Sequence, residues 1–151
     1  MTLSLFDDEP PIELINYDGN VMCWQQLLPE SDASALFDEL LETSDWQQEE
    51  IVVYNKRHLQ PRLTAWYGEF GVTADGGYKK LYETVHFTPR LLALKTRIET
   101  MTGYRFNCVL ANFYRDGQDS VGYHADNEQI LGINPVIASY SLGATRRFLL
   151  K

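Results

Sequence analysis

The stretch NFYRDGQDSVGYHADNE, residues 112–128, concentrates side chains able to do chemistry. It sets His124 and Asp126 two apart, just beyond an apolar run. At alternate positions of an extended segment an imidazole and a carboxylate project to one side, where both reach one cation. A distant histidine would complete a two-histidine, one-carboxylate set, which holds Fe(II) and leaves three positions open. The other histidines, His58 and His86, both precede the pair, and nothing in the spacing says that the fold brings either to it. Taken on spacing alone, the pair reads more readily as an exposed histidine beside acidic residues than as a metal site.

The elements that must position this stretch are legible from patterning. Residues 106–114, FNCVLANFY, alternate as a strand. Asn107, Val109, Ala111 and Phe113 fall on one face; Cys108, Leu110, Asn112 and Tyr114 fall on the other. A turn comes next at 115–117, and residues 124–128 begin the next element or its loop. Upstream, LTAWYG at 63–68 and IVVYN at 51–55 read as strands. So does IELIN at 12–16, ahead of a turn at Asp18-Gly19-Asn20. VMCWQQLL is a second strand or an extended entry. Ser31 or Asp32 is placed to cap a helix whose stripe is Ala35, Leu36, Leu40 and Leu41. Thr88-Pro89 starts a second helix with stripe Leu91, Leu94, Ile98 and Met101, and Gly103 ends it. Residues 135–143 and 144–150 are expected to be the last two strands. Two helices and about seven strands, with the C-terminal half nearly all strand, predict an α+β fold. It is mostly β, with helices packed outside a sheet-based barrel or sandwich.

Composition narrows the classes. A chain of 151 residues, 44% hydrophobic and 23% charged, suits one soluble domain with a real core. Residues 1–10 read as a tail and 11–151 as the domain. No run of about 18 apolar residues is present, so no membrane association is expected; no signal peptide is apparent, and a cytoplasmic location is the expectation. Cys23 and Cys108 sit far apart in apolar surroundings and read as buried thiols, not a metal pair. Charge is divided unevenly. Residues 1–50 carry 13 acidic side chains and no basic ones, whereas residues 51–151 carry 13 basic against 8 acidic, a net of +5. The acidity of the whole excludes a generic nucleic-acid coat. It leaves room for a local basic face from Lys56, Arg57, Arg62, Lys79, Lys80, Arg146 and Arg147.

Three blocks together resemble a known family. PRLTAWYG at 61–68 resembles the segment before the substrate loops of the AlkB-like nucleic-acid demethylases. Asn112-x-Tyr114-x-x-Gly117-x-Asp119, followed by His124-x-Asp126-Asn127-Glu128, resembles their iron-binding motif. IASYSLGATR at 137–146 resembles the strand and turn that come after it. The resemblance implies a double-stranded β-helix, or jelly roll, with Fe(II) as metal and 2-oxoglutarate as co-substrate. It implies repair of alkylated DNA or RNA by oxidising the N-methyl group of 1-methyladenine or 3-methylcytosine, which then leaves as formaldehyde. Residue by residue it implies His124 and Asp126 as catalytic metal ligands and Asn112 and Tyr114 as 2-oxoglutarate ligands. Glu128, Tyr67 and Tyr78 would lie on the substrate side, where aromatic rings suit a base taken out of its stack. The full-length form would be a monomer.

The chain departs from the family at Asn127, where relatives often carry Asp, and in the loop at 74–80. A larger departure lies C-terminal to the pair. The family places its second histidine ligand and an arginine clamp for 2-oxoglutarate several dozen residues later. Residues 127–151 hold no histidine, and Arg146 and Arg147 fall too early to be the clamp. The expectation is a jelly roll incomplete at its C-terminal end, with turnover by these residues alone in doubt. The alternative is a non-catalytic remnant or nucleic-acid-binding module of the same fold.

Overall fold

The computed structural model of the chain describes residues 10–69, 73–75, 81–126 and 131–151. Its centre is a three-stranded sheet of β5 (Leu63–Gly68), β8 (Val85–His86) and β9 (Cys108–Phe113). β5 and β9 pair antiparallel from Leu63 opposite Phe113 to Gly68 opposite Cys108. β8 joins the other edge of β5 in parallel. Gly68 is required there, because a Cβ would meet the Thr84 Oγ1 at 2.6 Å.

Two 14-residue helices cover one face of this sheet, α1 (Glu30–Thr43) and α2 (Pro89–Thr102). Leu36, Ala65, Tyr67, Leu91 and Leu94 form the buried core, with Leu40, Ile98, Val109 and Ala111 packed against it. The faces of β9 therefore split as the alternation predicts: Val109 and Ala111 look toward the helices, and Leu110 and Asn112 look away. The helical stripes are narrower than expected. Leu41 and Met101 are about two-fifths exposed, since a three-stranded sheet is too narrow to cover every apolar position of both helices.

The helix ends obey local chemistry. The Thr88 hydroxyl accepts from the Leu91 amide at 3.2 Å, Pro89 opens α2, and Gly103 closes it in the left-handed region at φ 76°. α1 corrects the expectation of a Ser31 or Asp32 cap. Its N-cap is Pro29, with no side-chain capping bond, and the Pro29 carbonyl accepts from the Asp32 and Ala33 amides, both at 3.0 Å. Glu30 and Asp32 instead lie inside the first turn, where their charge suits the positive helix end.

Smaller hairpins surround this centre. β1 (Ile12–Ile15) pairs with β2 (Val21–Cys23), and β6 (Thr73–Asp75) pairs with β7 (Leu81–Glu83). β3 (Glu50–Val53) pairs with β4 (Lys56–Leu59) through Tyr54 and Asn55, both at positive φ, the backbone of a tight two-residue hairpin turn. β4 is not apparent from the sequence, because KRHL has little strand patterning of its own.

The C-terminal expectation fails. Residues 135–143 and 144–150 form no strand. A strand exists only as part of a ladder, and among the described residues no neighbour pairs with this segment. The segment is still docked. Tyr140 and Leu142 pack against the core, and Gly143 sits at φ 76° where a Cβ would meet the Phe37 ring at 2.9 Å. Both cysteines are half-buried free thiols, not fully buried ones, and burial pushes the Cys108 thiol up from its ordinary pKa. The described residues thus form a mixed α and β fold of small sheets, without a closed barrel.

Candidate metal and co-substrate site

β9 delivers the first two candidate residues. Asn112 lies opposite Thr64 on the sheet face away from the helices, and its side chain is exposed. Tyr114 is one residue past the end of the ladder and is half-buried. The Arg146 guanidinium carbon stands 4.7 Å from the centre of its ring, within cation–π range.

The next turn is built from charges. Asp119 is buried at 5% exposure. It accepts from the Arg115 Nε at 2.7 Å, the Arg115 Nη2 at 2.9 Å and the Arg115 backbone amide at 2.9 Å. That fork, and then the backbone bond, hold the Asp119 carboxyl down to about 2. The Asp116 carboxylate accepts from the Gln118 amide at 2.8 Å, so it folds the turn on itself. The Ser120 amide donates to the Pro61 carbonyl at 2.9 Å, which ties the turn to the chain entering β5. Arg146 completes the structure by donating to the Asp116 carbonyl at 2.8 Å and to the Asp119 carbonyl.

Beyond this turn the His-x-Asp pair lies in a segment without regular structure, yet its side chains meet. The His124 Nε2 is 3.4 Å from the Asp126 Oδ1. The His124 Nδ1 lies 2.9 Å from the Gly122 carbonyl. A carbonyl oxygen only accepts, so Nδ1 carries the proton and Nε2 turns toward the carboxylate. The Nε2 lone pair and the carboxylate oxygen thus lie side by side, where both can donate to one cation. Two donors about 2.1 Å from one metal at right angles are about 3 Å apart, so the observed spacing suits adjacent ligands. A backbone carbonyl on the other ring nitrogen is the usual orienting partner of a metal-binding histidine.

No third donor joins them. Among the described residues no group of three His, Cys, Asp or Glu side chains is placed to hold an ion. His58 sits on the β3–β4 hairpin and His86 on β8, and neither completes the pair. The two residues present fit a metal as a partial set.

The remaining candidates are scattered. Tyr67 is 2% exposed on the helix side of β5, and its hydroxyl lies 2.6 Å from the Ser44 Oγ. It is therefore on the opposite sheet face from Asn112. Tyr78 and Glu128, with Lys79, Lys80 and Asn127, lie outside the described residues. Three of the expected basic-face residues have partners within the fold. Arg57 pairs with Glu50 at 3.3 Å, Arg62 donates to Gln60 at 2.9 Å, and Arg146 is committed to the turn.

Sequence reasoning missed Glu99. This buried carboxylate accepts from the Phe106 amide at 2.8 Å and pairs with Lys95 at 3.0 Å and Arg105 at 3.1 Å. The Phe106 bond, and then Lys95, hold it down to about 2. Lys95 reaches Glu69 as well, at 3.3 Å, so one cluster joins α2 to the start of β9 and the end of β5. Burial works against the Lys95 charge, but its bonds to Glu99 and Glu69 outweigh that and raise its pKa. The i,i+4 spacing of Lys95 and Glu99 was the available signal.

Comparison with known proteins decides the class. Residues 20–151 match the family described as the 2OG-Fe(II) oxygenase superfamily. The chain belongs to that superfamily. Within it the chain is AlkB-like. It is 44% identical over 119 residues to the rat alpha-ketoglutarate-dependent dioxygenase alkB homolog 3, covering 78% of this chain and 39% of that protein. It is 42% identical over 119 residues to the human protein of that name, covering 78% of this chain and 40% of that one. The DNA oxidative demethylase ALKBH2 of Arabidopsis thaliana is 34% identical over 140 residues, covering 91% of this chain and 45% of that protein. The chain thus spans about two-fifths of the length of the first relatives it matches. That superfamily is the one the motifs implied.

Proposed function

We propose that residues 11–151 are a nucleic-acid-binding module of the AlkB-like jelly roll, incomplete within these residues, that carries two of three iron ligands. The reaction it serves is oxidative removal of N-methyl groups from 1-methyladenine or 3-methylcytosine in DNA or RNA, in a cytoplasmic repair protein. The observation that carries this reading is the His124–Asp126 contact at 3.4 Å, with no third donor among the described residues.

In this reading His124 and Asp126 hold the metal, and the Gly122 carbonyl keeps the imidazole in the ligating tautomer. Bound Fe(II), with 2-oxoglutarate and oxygen, supplies the oxidant for the methyl group. Asn112 and Tyr114 offer an amide and a phenol to the carboxylates of 2-oxoglutarate. Glu128 and Tyr78 are assigned to the substrate side by the resemblance, and Tyr67 acts only as core support for the sheet. Two protein ligands hold a metal weakly and leave its orientation loose. The 151 residues are therefore expected to bind and not to turn over.

The test combines binding and chemistry on the 151-residue protein. Mn(II) should bind weakly, and His124→Ala should weaken it at least about tenfold. A single-stranded oligonucleotide carrying 3-methylcytosine should bind, with no formaldehyde released on adding Fe(II) and 2-oxoglutarate. Formaldehyde and succinate appearing in equal amounts would replace the binding-module reading by a catalytic one. Failure to bind the oligonucleotide would remove the module reading.

A further inference from the structure

We propose that Arg146 is a positioning residue for Tyr114, holding the phenol ring by its face so that the hydroxyl meets the carboxylate of the co-substrate. This rests on the reading of Tyr114 as a 2-oxoglutarate ligand.

The need for such a residue comes from the ladder. Its last pair is Leu63 with Phe113, so Tyr114 is the first residue past β9 and has no ladder partner on β5. The orientation of a ring there is set by what packs on its face. Arg146 covers it, with its guanidinium carbon 4.7 Å from the ring centre. The same guanidinium donates to the carbonyls of Asp116 and Asp119, which belong to the turn directly after Tyr114. A planar fork with several donors can stack on a ring and bridge two carbonyls at once; a lysine ammonium cannot match both tasks.

The anchor is rigid on its own account. Asp119 is locked by the Arg115 fork, and Ser120 by the Pro61 carbonyl. The segment bearing Arg146 is docked independently, through Leu142 on the core and Gly143 against Phe37. Arg146 thus links two fixed bodies across the ring between them. Two of its five donors, one on each terminal nitrogen, are taken by backbone carbonyls, and these bonds hold the guanidinium plane in place over the ring. Its charge acts through the ring. A cation over the face draws electron density from the phenol and makes its O–H a better donor to an anion.

The experiment uses the 151-residue protein with carbon-13-labelled tyrosine, and Tyr114→Phe identifies the Tyr114 ring signal. Arg146→Gln should move that signal to the position of a solvent-exposed tyrosine. It should also weaken 2-oxoglutarate binding in the presence of Mn(II) by about tenfold. The melting temperature should fall by only a few degrees. Arg146→Lys should recover part of the affinity and little of the ring signal. An unmoved ring signal in Arg146→Gln overturns the proposal, as does affinity lost only in step with melting. The parent reading is tested separately. If Tyr114→Phe leaves 2-oxoglutarate affinity unchanged, or the protein binds none, the ligand role fails, and the co-substrate purpose of Arg146 fails with it even where the ring signal moves.

Discussion

The β5–β9 ladder and the segment from Tyr114 to Asp126 carry the two parts of the proposed site, and they are held by opposite means. Asn112 stands on a six-residue ladder backed by two helices and a core that includes Leu36 at 1% exposure. His124 and Asp126 stand about half exposed in a segment with no ladder. That segment is ordered by a chain of hydrogen-bonded clips: Arg115 on Asp119, the Ser120 amide on the Pro61 carbonyl, Arg146 on two carbonyls. Apolar burial fixes the first region; an ion pair and hydrogen bonds to backbone carbonyls fix the second. A metal site placed on the second region gains freedom to adjust to its ion and gives up the preorganisation that the ladder provides.

The largest effect should come from cutting the ladder's backing. Leu36→Ala is expected to cost about 2–5 kcal/mol in urea denaturation, whereas Leu150→Ala, at an exposed position, should stay within about 0.5 kcal/mol. Equal costs would erase the contrast. Next comes Gly143, which docks the C-terminal segment. Gly143→Ala forces a Cβ toward Phe37 at a positive φ and should cost about 1–3 kcal/mol by thermal melting. Pairing it with Phe37→Leu should recover part of that loss, since the ring is what the new methyl group meets.

Smaller effects sharpen the comparison. Tyr67→Phe removes only the hydrogen bond to Ser44 and should cost about 0.5–1.5 kcal/mol. A larger cost would mean that the hydroxyl organises more of the core than one contact. The last prediction concerns acid. Glu99 and Asp119 are both held at about 2, below their ordinary 4.5 and 3.8. A lowered carboxylate stabilises the fold fully above its unfolded value and loses that contribution as pH falls through the folded one. Melting temperature should therefore drop from about pH 5 toward pH 2. Glu99→Gln should flatten the part between 4.5 and 2, and Asp119→Asn the part between 3.8 and 2. A Glu99→Gln protein with the same slope as the parent would show that this carboxylate is not what acid disrupts.

Much of the positioning framework was legible locally. Thr88-Pro89 and Gly103 bound α2 because capping and left-handed glycine are chemistry of a few adjacent residues. Alternation in residues 106–114 separated the faces of β9 because the period of a strand is a property of the backbone. The blocks at 61–68, 112–128 and 137–146 together carried the family resemblance, and the superfamily it implies is the one the chain belongs to. Where the reading failed, the missing information was a neighbour. Residues 135–150 have strand composition but no partner in the described fold, and β4 has poor composition but a partner in β3.

The sequence by itself therefore determined the helices, the strand faces and the motif, since each is written in short-range periodicity or in a few side chains. Only the tertiary structure decided that Tyr67 turns to the core, that Glu99 becomes a buried joint, and that Arg146 lies over Tyr114. Each of those outcomes depends on groups brought together from distant parts of the chain. No local pattern encodes such a meeting, because the energy that selects it exists only once both surfaces have folded.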